Sequence, residues 1–195
     1  MNAIIVQAIG FVGLALFALS FQIKSNKALY VAQTLGNSMF GIQFLLLGSL
    51  SGCLSLFLLI IRNLLLMHYQ EWSWVRWKGW VPVFSVFFIA ILIFTWNGPI
   101  SILPYLAAQV GTIMYWTNNA RNLRLANLFC ASPCWLIFDI LVGSIGGILN
   151  ETILMVSILV SIYRYGWKNL GQNKFGDEEQ KQEDLMKESM DESKK

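Results

Sequence analysis

The sequence predicts an all-α membrane protein with seven transmembrane helices, arranged as two parallel three-helix repeats joined by a linker helix. Three observations lead to this prediction. Hydrophobic residues make up 56% of the 195 residues and charged residues 13%, with a mean hydropathy of +0.56, which is too apolar for an ordinary soluble domain. The apolar residues fall into seven segments, and a glycine–serine pattern recurs 95 residues further along the chain.

The seven apolar segments approach the roughly 20 residues that a helix needs to cross a bilayer. They cover about residues 3–22, 28–47, 50–69, 80–96, 100–117, 125–142 and 146–164. This divides the chain into a first three-helix repeat (1–69), a cytoplasmic aromatic loop with the linker helix (70–99), a second repeat (100–165) and a charged cytoplasmic tail (166–195). The tail is too polar to bury a core, so we expect it to be disordered.

The recurring pattern follows the second helix of each predicted repeat. It reads Gly48-Ser49-Leu50-Ser51-Gly52 in the first copy and Gly143-Ser144-Ile145-Gly146-Gly147 in the second. A single odd helix between the copies allows both halves to insert with the same orientation, as in transporters that are built from parallel repeats.

Basic residues lie on one side of the predicted bundle. The connections after the first, third and fifth helices contain Lys or Arg, and the last helix ends near Arg164, whereas the turns near Gly48, Asn97 and Gly143 carry no charge. The positive-inside rule therefore predicts an N-terminus outside and a C-terminus in the cytoplasm. No Lys or Arg precedes the first apolar segment, which argues against a cleavable signal peptide.

Four tryptophans lie in or beside the loop between the third and fourth helices. They are Trp72, Trp74, Trp77 and Trp80, and basic residues lie between them. Aromatic rings beside basic residues can stack on nucleic acid, but next to two spanning helices they are more typical of anchors at the lipid headgroups. We expect the lipid bilayer as a partner and no nucleic acid.

Polar side chains within the predicted spans are the candidates for function, because they are costly in hydrocarbon and usually face the bundle interior or a wet cavity. The candidates for a substrate pathway are Gln33, Asn37, Arg62, Asn63, Gln109, Asn127, Ser132 and Asn150. The alternative for each amide is an interhelical hydrogen bond, which contributes about 1 kcal/mol. Asn37 aligns with Ser132 across the repeat, which favours a polar pathway near the pseudo-twofold axis. Arg62 either extends towards the cytoplasmic end or contacts an anionic substrate.

The sequence does not indicate an enzyme, a cofactor or a metal site. The only histidine, His68, has no metal-ligand spacing around it, and no phosphate-binding loop or nucleophile motif is present. Cys130 and Cys134 lie four positions apart, where two thiols alone make a poor metal site and a disulfide would strain the helix. Together with Cys53 they are expected to be small packing residues.

The predicted arrangement resembles the SWEET and PQ-loop superfamily of small-solute carriers. It has three helices, one linker helix and three more, with the N-terminus outside. A closer similarity is to the YgjV-type bacterial inner-membrane proteins. It rests on the segment from Phe44 to Gly48, on Trp135, on the segment from Gly143 to Gly147 and on the exit at Arg164. This resemblance covers residues 1 to about 166. It implies a multi-pass protein of the bacterial inner membrane.

The chain departs from that superfamily's pattern in two ways. The Pro-Gln motif at the end of a repeat's first helix survives only as Phe21-Gln22. The hinge prolines that the resemblance implies in the first two helices of each repeat occur only as Pro104 and Pro133. Because proline frees a backbone carbonyl and lets a helix bend, we expect any hinge to lie in the second half.

The leading hypothesis from the sequence is a carrier of small, sugar-like solutes that works by alternating access between the two halves. The rival is a non-transporting membrane receptor or scaffold, and an intramembrane enzyme comes third. Asp139 and Glu151 are the only acids in the predicted spans, so facilitated diffusion is preferred over proton coupling. The sequence leaves open which solute is carried and whether the chain forms a homo-oligomer.

Overall fold

The computed structural model describes residues 3–20, 26–69, 71–117 and 120–165, and within these ranges the chain forms seven helices and no strand. The helices are α1 (Ala3–Ser20), α2 (Asn26–Leu46), α3 (Leu50–Leu66), α4 (Trp80–Phe94), α5 (Ile102–Trp116), α6 and α7 (Ile145–Tyr165). Helix α6 consists of Ala120–Ala126, a π-helical turn at Asn127–Ala131 and Ser132–Val142. The prediction of an all-helical chain is confirmed, and the predicted tail at 166–195 lies outside the described residues.

Three of the described helices are long and apolar enough to cross a membrane, judged by length and composition. They are Ala3–Ser20, Arg124–Val142 and Ile145–Arg164. The apolar helices Leu50–Leu66 and Trp80–Phe94 are shorter. Two 3₁₀ turns, Ser73–Arg76 and Pro99–Ser101, precede α4 and α5.

The two glycine–serine copies form the same kind of helix end. Gly48 and Gly143 both have positive φ angles, of 79° and 80°, which glycine adopts without the steric cost that a Cβ brings. After α2, the amide of Ser49 donates to the carbonyl of Phe44 at 2.8 Å, and after α6 the amide of Ser144 donates to the carbonyl of Asp139 at 2.9 Å. In each copy the left-handed conformation of the glycine lets the chain turn back, so that amides after the helix donate to carbonyls that the helix end leaves unpaired.

Six of the described helices form a closed ring. Helix α2 packs against α1 and α3, helix α6 packs against α5 and α7, and the ring closes through contacts of α3 with α5 and of α7 with α1. Helix α4 lies outside the ring against α3 and α5. One end of the ring carries the turns at Gly48, Gly98 and Gly143 and is called the glycine-turn end here. The opposite end, with the 3₁₀ turn Ser73–Arg76 and the start of α6, is called the basic end.

The distribution of polar and apolar side chains is inverted relative to a soluble protein. The outward faces of the helices are apolar, with exposures of 65% at Val86, 69% at Ile93 and 87% at Phe94 on α4 alone. The buried side chains include many polar ones: Ser20, Asn37, Gln43, Ser51, Ser55, Arg62, Asn63, Thr95, Ser101, Thr112, Ser132, Asp139, Ser144 and Asn150. Water would penalise this arrangement and hydrocarbon favours it, so the ring has the surface of a membrane-embedded bundle.

Candidate functional site

A cavity of about 520 Å³ lies inside the ring of helices. Side chains of α1, α2, α3, α5, α6 and α7 line it, and among the described helices α4 alone contributes none. Its polar and charged lining residues are Tyr30, Gln33, Asn37, Arg62, Asn63, Tyr115, Arg124, Asn127, Ser132, Asp139, Asn150, Glu151, Ser157 and Ser161. The volume falls within the roughly 300–1,000 Å³ that is typical of small-molecule sites.

The cavity brings together seven of the eight residues that the sequence singled out for a substrate pathway. Gln33, Asn37, Arg62, Asn63, Asn127, Ser132 and Asn150 all line it. Gln109 does not, because its side chain is directed towards α4, where Nε2 donates to the hydroxyl of Ser85 at 2.5 Å. Gln109 therefore joins the linker helix to α5 from outside the cavity.

Arg62 is held inside the bundle by uncharged partners. Its side chain is 5% exposed, and Nε and Nη2 donate to Oδ1 of Asn63 at 3.3 and 3.0 Å. Nη1 donates to the hydroxyl of Thr112 at 3.3 Å, and that hydroxyl itself donates to the carbonyl of Ala108. The guanidinium also lies 4.3 Å from the ring centroid of Tyr115, a cation–π distance. The alternative in which Arg62 extends towards the cytoplasmic end is therefore wrong, because its charge is fixed in the cavity wall.

Two carboxylates line the same cavity. Asp139 on α6 is 2% exposed and packs directly over Gly147 of α7, where a Cβ would overlap the carboxylate oxygens. Its Oδ1 is buried and has no hydrogen-bond partner among the described residues. Glu151 lies one helical turn after Gly147, and its Oε1 accepts a hydrogen bond from Nδ2 of Asn150 at 3.1 Å. The absence of a side chain at Gly147 thus allows α6 to place an acid beside the acid of α7.

Aromatic side chains form part of the cavity wall. Phe44 of α2 stacks on Trp135 of α6, with ring centroids 6.0 Å apart and planes within 5°. Phe138 packs edge-on against both rings and is fully buried. These contacts bring α2 and α6, the middle helices of the two predicted repeats, together across the ring. Such rings give a small solute an apolar surface beside the polar groups.

A hydrogen-bonded network joins the first and last described helices at the glycine-turn end. Nε2 of Gln7 donates to the carbonyl of Gly143 at 2.8 Å. Oε1 of Gln7 accepts two hydrogen bonds, one from the amide of Ile145 at 3.1 Å and one from Nε2 of Gln43 at 3.2 Å. Oε1 of Gln43 in turn accepts from the hydroxyl of Ser144 at 3.0 Å. Gln43 and Ser144 are fully buried, and none of these side chains lines the cavity. The network closes the ring between α1 and α7.

The two prolines proposed as hinges have different settings. Pro133 follows the π turn Asn127–Ala131 within α6. It has no N–H to donate to the carbonyl four residues earlier, which gives a physical reason for an irregular turn at this point. Pro104 lies in the first turn of α5, where a proline removes no intrahelical hydrogen bond.

The tryptophan loop forms a continuous stack at the basic end. His68 stacks on Trp72 with centroids 4.2 Å apart, Trp72 on Trp74 at 5.6 Å, and Trp74 contacts Trp80 at 5.6 Å. Trp72, Trp74 and Trp77 are exposed, whereas Val75 between them is fully buried. Exposed rings at the end of an apolar bundle are consistent with anchoring in the headgroup region.

Comparison with known proteins places this helical ring in a family. The family Imp-YgjV, described as bacterial inner membrane protein, matches residues 4–169, which is most of the chain. The chain belongs to this family. Neither a curated protein nor a solved structure matches it. The Imp-YgjV assignment gives a bacterial inner-membrane location, in agreement with the apolar outer surface of the ring.

Several cavity residues of this Imp-YgjV protein were not selected from its sequence. Tyr30 and Tyr115 are not predicted from the sequence, and Trp135 enters there only through the resemblance. Asp139 and Glu151 are noted there as polar residues of the spans and weighed for proton coupling, but not as site residues. A signal for some of them exists, because Ser132, Trp135 and Asp139 follow one another at spacings of three and four along α6 and so share a face. On α2, Tyr30 and the predicted residues Gln33 and Asn37 also follow one another at spacings of three and four, and so share a face.

Proposed function

We propose that this Imp-YgjV protein is a small-solute carrier that works by alternating access. In this proposal all seven helices cross the inner membrane, with the N-terminus outside and the C-terminus in the cytoplasm. The moving parts are two three-helix units, α1–α3 and α5–α7, and α4 is the linker between them. The single observation that carries the proposal is the cavity of about 520 Å³, which is lined by both units and by seven residues that the sequence singled out.

The neighbour relations of the helices support a division into two equivalent units. The middle helix of each unit, α2 or α6, contacts the other two helices of its own unit. Two of the contacts between the units, α3 with α5 and α7 with α1, are also equivalent if one half is superposed on the other. The matched helix ends at Gly48 and Gly143 add local support from the sequence repeat. A cavity at the interface of two such units is where repeat-built transporters bind their substrates.

The two ends of the ring differ in how far the cavity extends towards them, and this supports different roles for them in solute access. The network of Gln7, Gln43 and Ser144 joins α1 to α7 beyond the cavity at the glycine-turn end. At the basic end, the cavity lining continues as far as Arg124 and Ser161, each close to the end of its helix. In our proposal the network is the gate on the outer side, and the structure represents the state in which that gate is closed.

The test is uptake of a panel of labelled sugars, amino acids and organic acids into proteoliposomes that contain the full-length protein. Asn37→Leu removes a polar side chain from the cavity wall, and we expect it to abolish saturable uptake. Gln109→Leu is the matched control, because it removes an amide from the same kind of helix but outside the cavity. We expect uptake by the Gln109→Leu variant to stay within about twofold of wild type, because the hydrogen bond that it loses lies outside the cavity and contributes only about 1 kcal/mol.

Three outcomes would decide between the functions. Uptake lost in Asn37→Leu and kept in Gln109→Leu supports a carrier with its pathway through the cavity. Equal uptake by both variants contradicts that pathway. The absence of flux for every solute, together with saturable binding of one of them, would favour the non-transporting receptor or scaffold.

A further inference from the structure

The cavity wall contains separate negative and positive groups, and neither is neutralised by an opposite charge among the described residues. The negative group is Asp139, which is 2% exposed and has an unpartnered Oδ1, with Glu151 beside it. The buried positive group is Arg62, which is 5% exposed, and Arg124 lines the cavity nearer the basic end. A charge at this depth in a membrane bundle is costly unless a partner compensates it.

No carboxylate of the described residues pairs with the positive group. Three of the guanidinium N–H groups have partners, and these are the amide oxygen of Asn63 and the hydroxyl of Thr112. A guanidinium has five N–H donors, so two are left for another acceptor. The ring of Tyr115 contributes a cation–π contact but carries no negative charge. Arg62 is thus fixed in position by neutral groups, as a group that binds an anion needs to be.

The negative group is arranged for a cation. Its carboxylates come from adjacent helices, and Gly147 allows them to approach because it has no Cβ. The Asn150 amide satisfies one oxygen of Glu151, whereas Oδ1 of Asp139 has no donor among the described residues. In its ionised form a carboxyl group only accepts hydrogen bonds, so the partner that Oδ1 lacks is then a donor. A protonated amine supplies both the donors and the opposite charge.

We propose that the cavity binds a small zwitterion, with its ammonium group at Asp139 and Glu151 and its carboxylate group at Arg62. This inference names the substrate class for the proposed carrier and replaces the sugar-like solute suggested by the resemblance. A neutral sugar can hydrogen-bond to both groups, but it leaves both charges uncompensated. A zwitterion brings an opposite charge to each group and adds no net charge to the cavity.

The experiment measures binding rather than transport, so that its result does not depend on the proposed function. Isothermal titration calorimetry is carried out on the purified full-length protein in detergent micelles. The zwitterions are alanine, β-alanine and 4-aminobutyrate, in which the charged groups are progressively further apart. The comparison compounds are propionate and butyrate, which lack the amine, ethylamine and propylamine, which lack the carboxylate, and glucose, which is neutral.

We expect at least one of the three zwitterions to bind at least about tenfold more tightly than its deaminated and decarboxylated analogues, since each analogue leaves one buried charge unpaired. Asp139→Asn and Arg62→Gln are each expected to weaken that binding at least about tenfold. Glu151→Gln is the second acidic variant, in case Asp139→Asn reduces the yield of folded protein. Gln109→Leu is the matched control and should bind like wild type.

The proposal is overturned if glucose binds more tightly than the zwitterions, if no zwitterion binds, or if both acidic variants bind the zwitterion as wild type does. Failure of the carrier proposal gives a different result. A zwitterion that binds in micelles but is not taken up by proteoliposomes would contradict transport and leave the zwitterion site in place. Uptake of a sugar without zwitterion binding would do the reverse.

Discussion

The hydroxyl of Ser144 donates a hydrogen bond to Oε1 of Gln43 at 3.0 Å, although the two residues lie 101 positions apart in the chain. Both side chains are fully buried, and the same Gln43 side chain donates to Gln7 at 3.2 Å. This contact therefore joins the two halves of the ring at the glycine-turn end. The contact is asymmetric, so the repeat in the sequence does not predict it.

Ser144→Ala tests this contact. The substitution removes the donor to Gln43 and also the acceptor for the amide of Gly147 at 3.2 Å, so we expect the free energy of unfolding to fall by about 1–2 kcal/mol. Ser49→Ala is the matched control, because Ser49 is the equivalent residue of the first copy and its side chain makes no capping hydrogen bond to α3. Reversible unfolding in mixed micelles measures both. A loss of stability in Ser49→Ala as large as that in Ser144→Ala would contradict a specific role of the network.

Gly146→Ala tests the close approach of α7 to α1. A Cβ at Gly146 would lie 2.5 Å from the carbonyl carbon of Gly10, and a backbone atom cannot move aside as a flexible side chain can. We expect the two helices to separate and the stability to fall by about 1–3 kcal/mol, the usual cost of overpacking. In Gly41→Ala the added Cβ would lie 3.9 Å from Leu56, an ordinary contact, so that variant should unfold like wild type. Thermal unfolding followed by circular dichroism compares the two, and equal transition temperatures would show that the bundle absorbs the clash.

Pro133→Ala tests the irregular segment of α6. Alanine restores a backbone N–H, so we expect the π turn at Asn127–Ala131 to become regular helix and its amides to exchange more slowly with solvent. Pro104→Ala is the control, since a proline in the first turn of α5 blocks no intrahelical bond. Hydrogen–deuterium exchange with mass spectrometry reports on both segments. Unchanged exchange at 127–131 in Pro133→Ala would mean that the proline does not cause the π turn.

Arg62→Lys tests whether the guanidinium itself is needed. Lysine keeps the charge but cannot donate in two directions from a planar group, so we expect the bonds to Asn63 and Thr112 not to form together. The predicted loss is about 1–2 kcal/mol in the free energy of unfolding. Arg76→Lys, at an exposed position, should have no effect. Chemical unfolding of both variants measures the difference, and a wild-type value for Arg62→Lys would show that charge alone suffices.

Most of the helix positions could be predicted from the sequence. The predicted segments 3–22 and 50–69 correspond to α1 and α3, which end at Ser20 and Leu66. Their lengths depend on local hydrophobicity and on the glycine turns, which are properties of neighbouring residues. The choice of polar residues was also largely informative, because a polar side chain on an apolar helix is directed to the interior wherever the outside is hydrocarbon.

The sequence alone could not assign each polar residue to its partner. Gln109 and Asn37 look equivalent as amides within apolar helices, yet Gln109 faces α4 and Asn37 faces the cavity. Asp139 and Arg62 face the same cavity without forming a salt bridge, a relationship that no local pattern of residues indicates. Helical spacing gives the face on which a residue lies, but the neighbour on that face depends on how the helices are arranged.

The sequence by itself determined the class of protein, the helical segments, the glycine turns and the polar residues that have to be buried. These follow from composition and from contacts within a few residues of the chain. Only the tertiary structure decided the order of helices in the ring, the partners of Arg62 and the network that connects Gln7 with Gly143 across 136 positions. The reason is physical: such pairings are chosen by packing between helices that are distant in the chain, and no local pattern of residues records them.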